Sequence, residues 1–139
     1  MIDRVFYSLA KPLLFSLDAE RAHDITLANL GAIAKNGFLL KKLQRLYGAR
    51  VPSLKTKCMG IDFEHPLGLA AGLDKDARAF NSFAALGFSG VEMGTVTPKP
   101  QPGNPKPRIF RLIEDRALIN RLGFNSQGMR CDSTKLFRR

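Results

Sequence analysis

Lys75 stands between two aspartates at the end of an apolar run of small residues, PLGLAAGLDKDARAF (residues 66–80). Alanine and glycine at positions 70–72 keep side-chain bulk away from the main chain, so a planar or phosphorylated ligand could approach the backbone closely. Lys75 would give such a ligand a fixed positive charge. The same residues also suit a helix packed tightly on a strand with Lys75 in solvent, and the run by itself leaves both interpretations open.

A second polar group lies in NRLGFNSQG (residues 120–128), where Asn120, Asn125 and Gln127 carry amides. Because an amide donates and accepts hydrogen bonds together, this turn suits a small ring with carbonyl and N–H edges. An ordinary turn is the alternative. Thr95, in GTVTP, offers a further hydroxyl and a backbone donor.

The histidines and cysteines form no recognisable catalytic or metal-binding pattern. His23 and His65 have no partner at a suitable spacing and are predicted to be structural. Cys58 and Cys131 are far apart and are predicted to be reduced thiols. The sequence contains neither a G-x-G-x-x-G nor a P-loop nucleotide motif. We therefore assign no metal site.

The elements that must position these groups begin with helices in residues 1–50. Apolar residues recur at helical spacing in three segments. Pro12 is predicted to end or kink the first helix, Asp18 to cap the second, and Asn36 and Gly37 to mark its end. The apolar faces are bordered by basic residues, which fits either packing against the rest of the protein or contact with a membrane surface.

A parallel β–α–β unit is predicted next. Residues 67–71 have the pattern of a short buried strand, residues 77–86 that of a helix and residues 90–95 that of a second strand. Ligands bind beyond the carboxyl ends of parallel strands, so the loops that carry Lys75 and Thr95 should share one face.

The segments around this unit lack regular periodicity. Residues 51–57 have the composition of a linker, and a small hairpin is predicted to turn at Met59 and Gly60. Five of the eight prolines lie in residues 98–107, which excludes a helix or central strand and predicts a loop. RIFRL and ALINRLGF then predict a second hairpin.

Length and composition predict one globular domain: 139 residues, 45% hydrophobic and 24% charged,. No apolar run reaches the ~18–20 residues of a membrane-spanning helix, and no secretory signal is recognised. The net charge of +10 favours anionic partners such as lipid headgroups, nucleic acid or phosphorylated ligands. Nucleic acid is disfavoured, because basic residues are not interleaved with aromatics and no binding motif is present.

The chain resembles the membrane-associated, quinone-dependent class of dihydroorotate dehydrogenases in four segments: LDAERAH, CMGIDFEHPLGLAAGLDKDA, ALGFSGVEMGTVTPKPQPGNPKPRIFRL and LINRLGFNSQG. The resemblance covers about residues 5–128, and AAGLDK followed by GTVTPKPQPGNPKPR is very specific. It implies an α/β fold. Residues 1–50 would form a helical domain, and residues 51–139 the first part of an FMN-binding (β/α)8 TIM barrel, incomplete in this chain.

The resemblance implies oxidation of dihydroorotate to orotate in pyrimidine (UMP) synthesis, with FMN as cofactor and a quinone as electron acceptor. The implied FMN contacts are Ala71, Gly72, Leu73, Asp74, Lys75 and Thr95. The implied substrate contacts are Lys75, Asn120, Arg121, Leu122, Gly123, Phe124 and Asn125. The family's serine base lies beyond this chain, so the resemblance assigns no catalytic residue here.

The resemblance also implies a peripheral protein on the cytoplasmic face of the inner (cell) membrane, whose helices line a quinone tunnel. A non-enzymatic membrane-surface module is the alternative. A (β/α)8 barrel needs at least ~200 residues, so we expect a truncated, inactive chain that folds poorly or aggregates in isolation. The end, MRCDSTKLFRR, is unlike the family's next helix and favours a truncated or shifted reading frame.

Overall fold

The computed structural model of the chain describes residues 2–48 and 52–129. Cys131 and nearly all of the MRCDSTKLFRR stretch lie outside these residues, as do the predictions made for them. The described elements are, in chain order, α1 (Ile2–Ser16), α2 (Ala19–Lys35), α3 (Gly37–Tyr47), a 3-10 turn (Pro52–Leu54), β1 (Thr56–Cys58), β2 (Ile61–Phe63), β3 (Gly68–Leu69), α4 (Phe80–Ala85), β4 (Gly90–Val91), β5 (Ile109–Leu112) and β6 (Ala117–Asn120). The architecture is α/β.

Side-chain caps delimit the helices as the sequence predicts. The Asp18 carboxylate accepts hydrogen bonds from the backbone amides of Glu20 at 3.0 Å and Arg21 at 3.1 Å, which satisfies two free N–H groups at the start of α2,. Asn36 ends α2 and caps α3, where its side chain accepts from the amides of Phe38 and Leu39. Both predicted boundaries are confirmed.

Pro12 is predicted to end or kink the first helix, and the alternative that it ends the helix is wrong, because α1 continues to Ser16. A proline inside a helix removes one hydrogen bond, but the bonds on either side can persist when other contacts support the last turn. Arg111 supplies that support. Its guanidinium donates to the carbonyls of Leu17 at 2.7 Å and Leu14 at 3.2 Å. This contact comes from a distant strand and leaves no local sequence signal.

The predicted parallel β–α–β unit is present but shorter than expected. β3 pairs in parallel with β4, with α4 between them. β3 is two residues long and is not buried, so the prediction of a buried strand over residues 67–71 is wrong. Ala77 has a φ of 50°, and this left-handed turn delays α4 until Phe80.

The hydrophobic core lies between α2 and this unit. Leu27, Ala79 and Phe83 are fully or almost fully buried. Ser82 donates to the carbonyl of Leu30 at 2.7 Å, which joins α4 to α2 by a polar contact inside the same interface. The helices therefore pack directly against the β–α–β unit.

Two antiparallel hairpins complete the fold, and both were predicted. β1 and β2 turn at Met59 and Gly60, whose φ values are 50° and 79°, as expected for a two-residue turn. The segment predicted as a linker contains the 3-10 turn and the start of β1. β5 pairs with β6, and the proline-rich segment before them is a loop.

We predict that the isolated chain self-associates and melts without a sharp transition. The β3–β4 sheet has only two strands, and Leu9, Leu13 and Met59 expose 74%, 69% and 96% of their surface. Free strand edges and apolar side chains favour association. Light scattering after gel filtration, combined with calorimetry, tests this prediction. A soluble monomer with a sharp cooperative melt would contradict it.

Candidate functional site

The loops that follow β3 and β4 lie on one side of the fold, because the two strands are parallel. Together with the segment after β6 they border a cavity of about 810 Å³. Nine residues predicted to contact cofactor or substrate line this cavity: Ala71, Gly72, Leu73, Lys75, Thr95, Asn120, Leu122, Gly123 and Phe124. Three segments that are distant in sequence thus contribute to one site.

Two glycines leave bare main chain facing this space. Gly72 and Gly94 have φ values of 109° and 139°, a region that side chains disfavour,. A Cβ atom added to either residue would meet no atom within 4 Å. The wall of the cavity is therefore open at both positions. This geometry fits a flat ring system that contacts the backbone.

Lys75 and Asn125 meet although 50 positions separate them. The Lys75 ammonium donates a hydrogen bond to Asn125 Oδ1 at 2.9 Å. Burial lowers the pKa of Lys75 below its ordinary value, the positive charge of Arg108 lowers this pKa further, and Asp76 raises it. Asp76 also accepts from the backbone amide of Gln127 at 3.0 Å. Two adjacent charged residues thus hold the segment after β6 in place.

Asp74 has a structural role that the sequence did not indicate. Its side chain is 2% exposed, and its two carboxylate oxygens accept from the amides of Arg78 at 2.8 Å and Ala79 at 2.7 Å. Asp74 and Asn125 border a smaller cavity of about 60 Å³ rather than the large one. Because the side chain is buried and both oxygens accept from backbone amides, we expect any contact of Asp74 with a cofactor to come through its main chain.

Arg121 is the predicted substrate residue that the structure does not bring to either cavity. Its guanidinium donates to the carbonyl of Pro107 at 3.0 Å and lies over the ring of Phe110. Side chains alternate along an extended segment, so Asn120 and Leu122 face the large cavity while Arg121 faces away.

The individual residues of a further wall of the large cavity were not predicted. This wall is formed by α1, α2 and β5, through Leu14, Phe15, Ala19, Ala22, His23, Thr26, Leu27, Ile109 and Arg111. The Arg111 guanidinium carbon lies 4.8 Å from the centre of the Phe15 ring. The alternation in RIFRL could have placed Ile109 and Arg111 on one face.

His23 joins that wall to the loop after β3. Its Nε2 atom lies 2.7 Å from the carbonyl oxygen of Leu73, and its Nδ1 atom lies 3.2 Å from a carboxylate oxygen of Asp24. Because a carbonyl oxygen only accepts hydrogen bonds, Nε2 carries the proton in this contact. His65 is buried and its Nδ1 accepts from the amide of Leu67 at 3.3 Å, so the structural role predicted for His65 is confirmed.

Within residues 2–48 and 52–129, no group of three or more histidine, cysteine or acidic residues could hold a metal ion. In that same part of the chain, no helix is long and apolar enough to cross a membrane. The polar side chains that line the large cavity are those of His23, Thr26, Lys75, Thr95, Arg111 and Asn120. They can bind and orient a ligand with negatively charged and carbonyl groups.

The chain matches a family of known proteins over most of its length. The family model described as dihydroorotate dehydrogenase matches residues 53–138. A Roseiflexus castenholzii protein named dihydroorotate dehydrogenase (quinone) is 55% identical over 125 residues, which are 90% of this chain and 34% of that protein. The Thermus thermophilus protein of the same name is 55% identical over 115 residues, or 83% of this chain and 33% of that protein.

Solved structures of DHODH are also similar to this chain. The chain is similar to Eimeria tenella DHODH in complex with ferulenol, with a TM-score of 0.67 and 47% identity, over 81% of this chain and 28% of that one. The ligand-free form from the same organism gives a TM-score of 0.68 and 42% identity, over 88% of this chain and 35% of that one. The chain spans about a third of the length of the curated relatives it matches.

Replacing Asp76 with asparagine should lower the pKa of Lys75 further. The substitution removes the negative charge that raises this pKa, and it keeps an oxygen that can accept from the Gln127 amide. NMR titration of the Lys75 side chain measures the change. Glu92→Gln is the control, because Glu92 is exposed and does not shift Lys75. A Lys75 pKa that stays constant or rises in Asp76→Asn would contradict the prediction.

Proposed function

The chain belongs to the dihydroorotate dehydrogenase family, and on this premise we propose that it forms part of a quinone-dependent enzyme that oxidises dihydroorotate to orotate in pyrimidine synthesis. The observation that carries the proposal is the large cavity, which collects nine predicted site residues from three distant segments. Relatives that are 55% identical are named for this reaction and this acceptor.

We propose two domains within the chain. Residues 1–50 would be the helical domain, which contains α1 to α3, and residues 51–139 would be the first part of a (β/α)8 barrel. The parallel β3–α4–β4 unit is the type of repeat from which such barrels are built,. Among the described strands only β3 and β4 pair in parallel, whereas a (β/α)8 barrel requires eight parallel strands, so activity would belong to a barrel with further strands.

FMN is the proposed cofactor, and the cavity fits its ring. Ala71, Gly72, Leu73 and Thr95 would contact it, with Asp74 contributing only main chain. When bound, FMN supplies a ring that accepts hydride from the substrate and passes electrons to the acceptor. Lys75 would supply a positive charge near the ring, which would favour the negatively charged reduced form.

The proposed substrate residues are Lys75 and the segment from Asn120 to Asn125. Asn120, Leu122, Gly123 and Phe124 line the cavity, and Asn125 is held by Lys75. Amide side chains can donate to and accept from the carbonyl and N–H edges of dihydroorotate. Holding this ring against the cofactor ring would supply the orientation that hydride transfer needs. We assign no catalytic base to this chain.

The quinone is proposed to reach the cavity from the side of α1 and α2. That wall is mainly apolar, and His23 and Arg111 are its two basic side chains. The surface of the helical segment exposes Leu9 and Leu13 of α1 and Phe38 of α3, with exposed fractions of 74%, 69% and 77%. We propose that this surface rests on the cytoplasmic face of the cell membrane, without a nucleic-acid partner.

A non-enzymatic membrane-surface module is the second candidate. The exposed apolar side chains of α1 and α3 favour it, because they suit a lipid surface whether or not a cofactor binds. Vesicle binding by a chain that never retains flavin would support this candidate over the first.

We expect Gly94→Ala to weaken the affinity of the chain for FMN at least ~10-fold, about 1.4 kcal/mol. The added methyl group would occupy space that the ring needs. Flavin fluorescence during titration measures the affinity. Gly60→Ala is the matched control, because Gly60 also has a positive φ and open surroundings but lies in the β1–β2 turn. A colourless unmodified chain would count against a usable cofactor site.

Leu9→Glu combined with Leu13→Glu should reduce co-sedimentation with anionic vesicles at least ~10-fold, since each buried leucine contributes about 1.5–3 kcal/mol. Binding of the unmodified chain should also fall with added salt. Ile61→Glu changes a leucine-sized side chain that is 59% exposed in the β1–β2 hairpin and serves as the control. Equal vesicle binding by the unmodified chain, the double variant and Ile61→Glu would refute the proposed membrane surface.

A further inference from the structure

Glu20 and Arg108 form a buried ion pair between α2 and the residue just before β5. Both side chains are 9% exposed. The Arg108 Nη2 atom lies 2.7 Å from Glu20 Oε1, and its Nε atom lies 3.1 Å and 3.2 Å from the two carboxylate oxygens. We propose that Glu20 and Arg108 are positioning residues that hold the substrate segment, residues 120–125, in a fixed place relative to α2. The proposal takes residues 120–125 as substrate-binding, and in this respect it rests on the proposed function.

The third nitrogen atom of the Arg108 guanidinium connects this pair to the proline-rich loop. Its Nη1 atom donates to the carbonyls of Pro102 at 2.6 Å and Asn104 at 3.1 Å. A guanidinium offers donors in a rigid planar fork, so it can hold a carboxylate and two carbonyls together. A lysine has a single ammonium and cannot reproduce this arrangement.

The loop in turn holds the substrate segment. The Asn104 backbone amide donates to the carbonyl of Leu122 at 3.0 Å, and its side-chain amide donates to the carbonyl of Arg121 at 2.7 Å. The Arg121 amide donates to the carbonyl of Arg108 itself at 2.8 Å. Arg108 therefore contacts the segment both directly and through Asn104. The proline-rich loop also approaches the substrate segment closely at Gly103, where an added Cβ atom would collide with the Leu122 carbonyl.

The helix at the other end of the pair is a wall of the large cavity. Ala19, Ala22, His23 and Thr26 of α2 line it, and Glu20 lies among them in sequence. The pair therefore joins the wall proposed for the quinone to the segment proposed for the substrate. A shift of α2 on binding an acceptor would be transmitted to residues 120–125 through bonded atoms.

Charge burial makes this connection sensitive to substitution. Hydrogen bonding to Arg108 lowers the pKa of Glu20, so Glu20 remains ionised at neutral pH. Replacing Glu20 with a neutral side chain leaves the buried charge of Arg108 without its carboxylate, and replacing Arg108 leaves Glu20 with only the exposed Lys106. Breaking a buried pair in this way is far costlier than losing an exposed pair. Lys106 contacts the same Glu20 oxygen at 3.1 Å, but its side chain is 63% exposed, so Lys106 provides a matched control.

Amide hydrogen exchange in the whole chain, without ligand, tests the proposal. In Glu20→Gln and in Arg108→Lys, exchange of the Asn104 and Arg121 amides should accelerate at least ~10-fold. The amides of Ala79 and Phe83, in the core, should change less than about twofold. Lys106→Gln should leave all four amides unchanged within the same limit.

Three results would overturn the positioning role. Equal acceleration at Ala79 and Phe83 would show that the pair acts only on global stability. Unchanged exchange at Asn104 and Arg121 in both variants would show that the pair does not hold the segment. Absence of protection at these amides in the unmodified chain would show that no segment is held. Since no ligand takes part, failure of FMN retention would count against the proposed function alone.

Discussion

Asp74 is a carboxylate with almost no contact with solvent, and its burial requires a donor for each oxygen. The amides of Arg78 and Ala79 are those donors, so the loop after β3 must fold back on itself. Two consequences follow from this one constraint. α4 begins where its core residues meet α2, and the neighbouring Lys75 and Asp76 extend toward Asn125 and Gln127.

Three successive charged residues therefore have three different partners. Asp74 fixes the start of a helix, Lys75 contacts a side-chain amide, and Asp76 contacts a backbone amide. The interpretation of Lys75 as a solvated residue is not what the structure has, since Lys75 is partly buried and hydrogen-bonded. Among the small residues before it, Ala71 and Gly72 line the cavity, and Gly72 presents bare main chain to it.

Local signals in the sequence were sufficient for the caps at Asp18 and Asn36, the turn at Met59 and the two hairpins, because each depends on residues within a few positions. The path of α1 past Pro12, the orientation of Arg121 and the pairing of Glu20 with Arg108 were not predictable in this way. Each depends on contacts with groups far along the chain. The site residues came from a family resemblance, and the structure adds where each side chain lies.

The Glu20–Arg108 pair spans 88 positions, and this distance has a consequence during synthesis. At ~5–20 residues per second, Arg108 leaves the ribosome about 4–18 s after Glu20. Throughout that interval α2 exists without its buried cation, and the carboxylate must stay hydrated. The helices can form early, but their final seating against the rest of the chain has to wait for the hairpin. A chaperone or membrane that meets the nascent helices would therefore encounter the Glu20 carboxylate, which the finished protein buries.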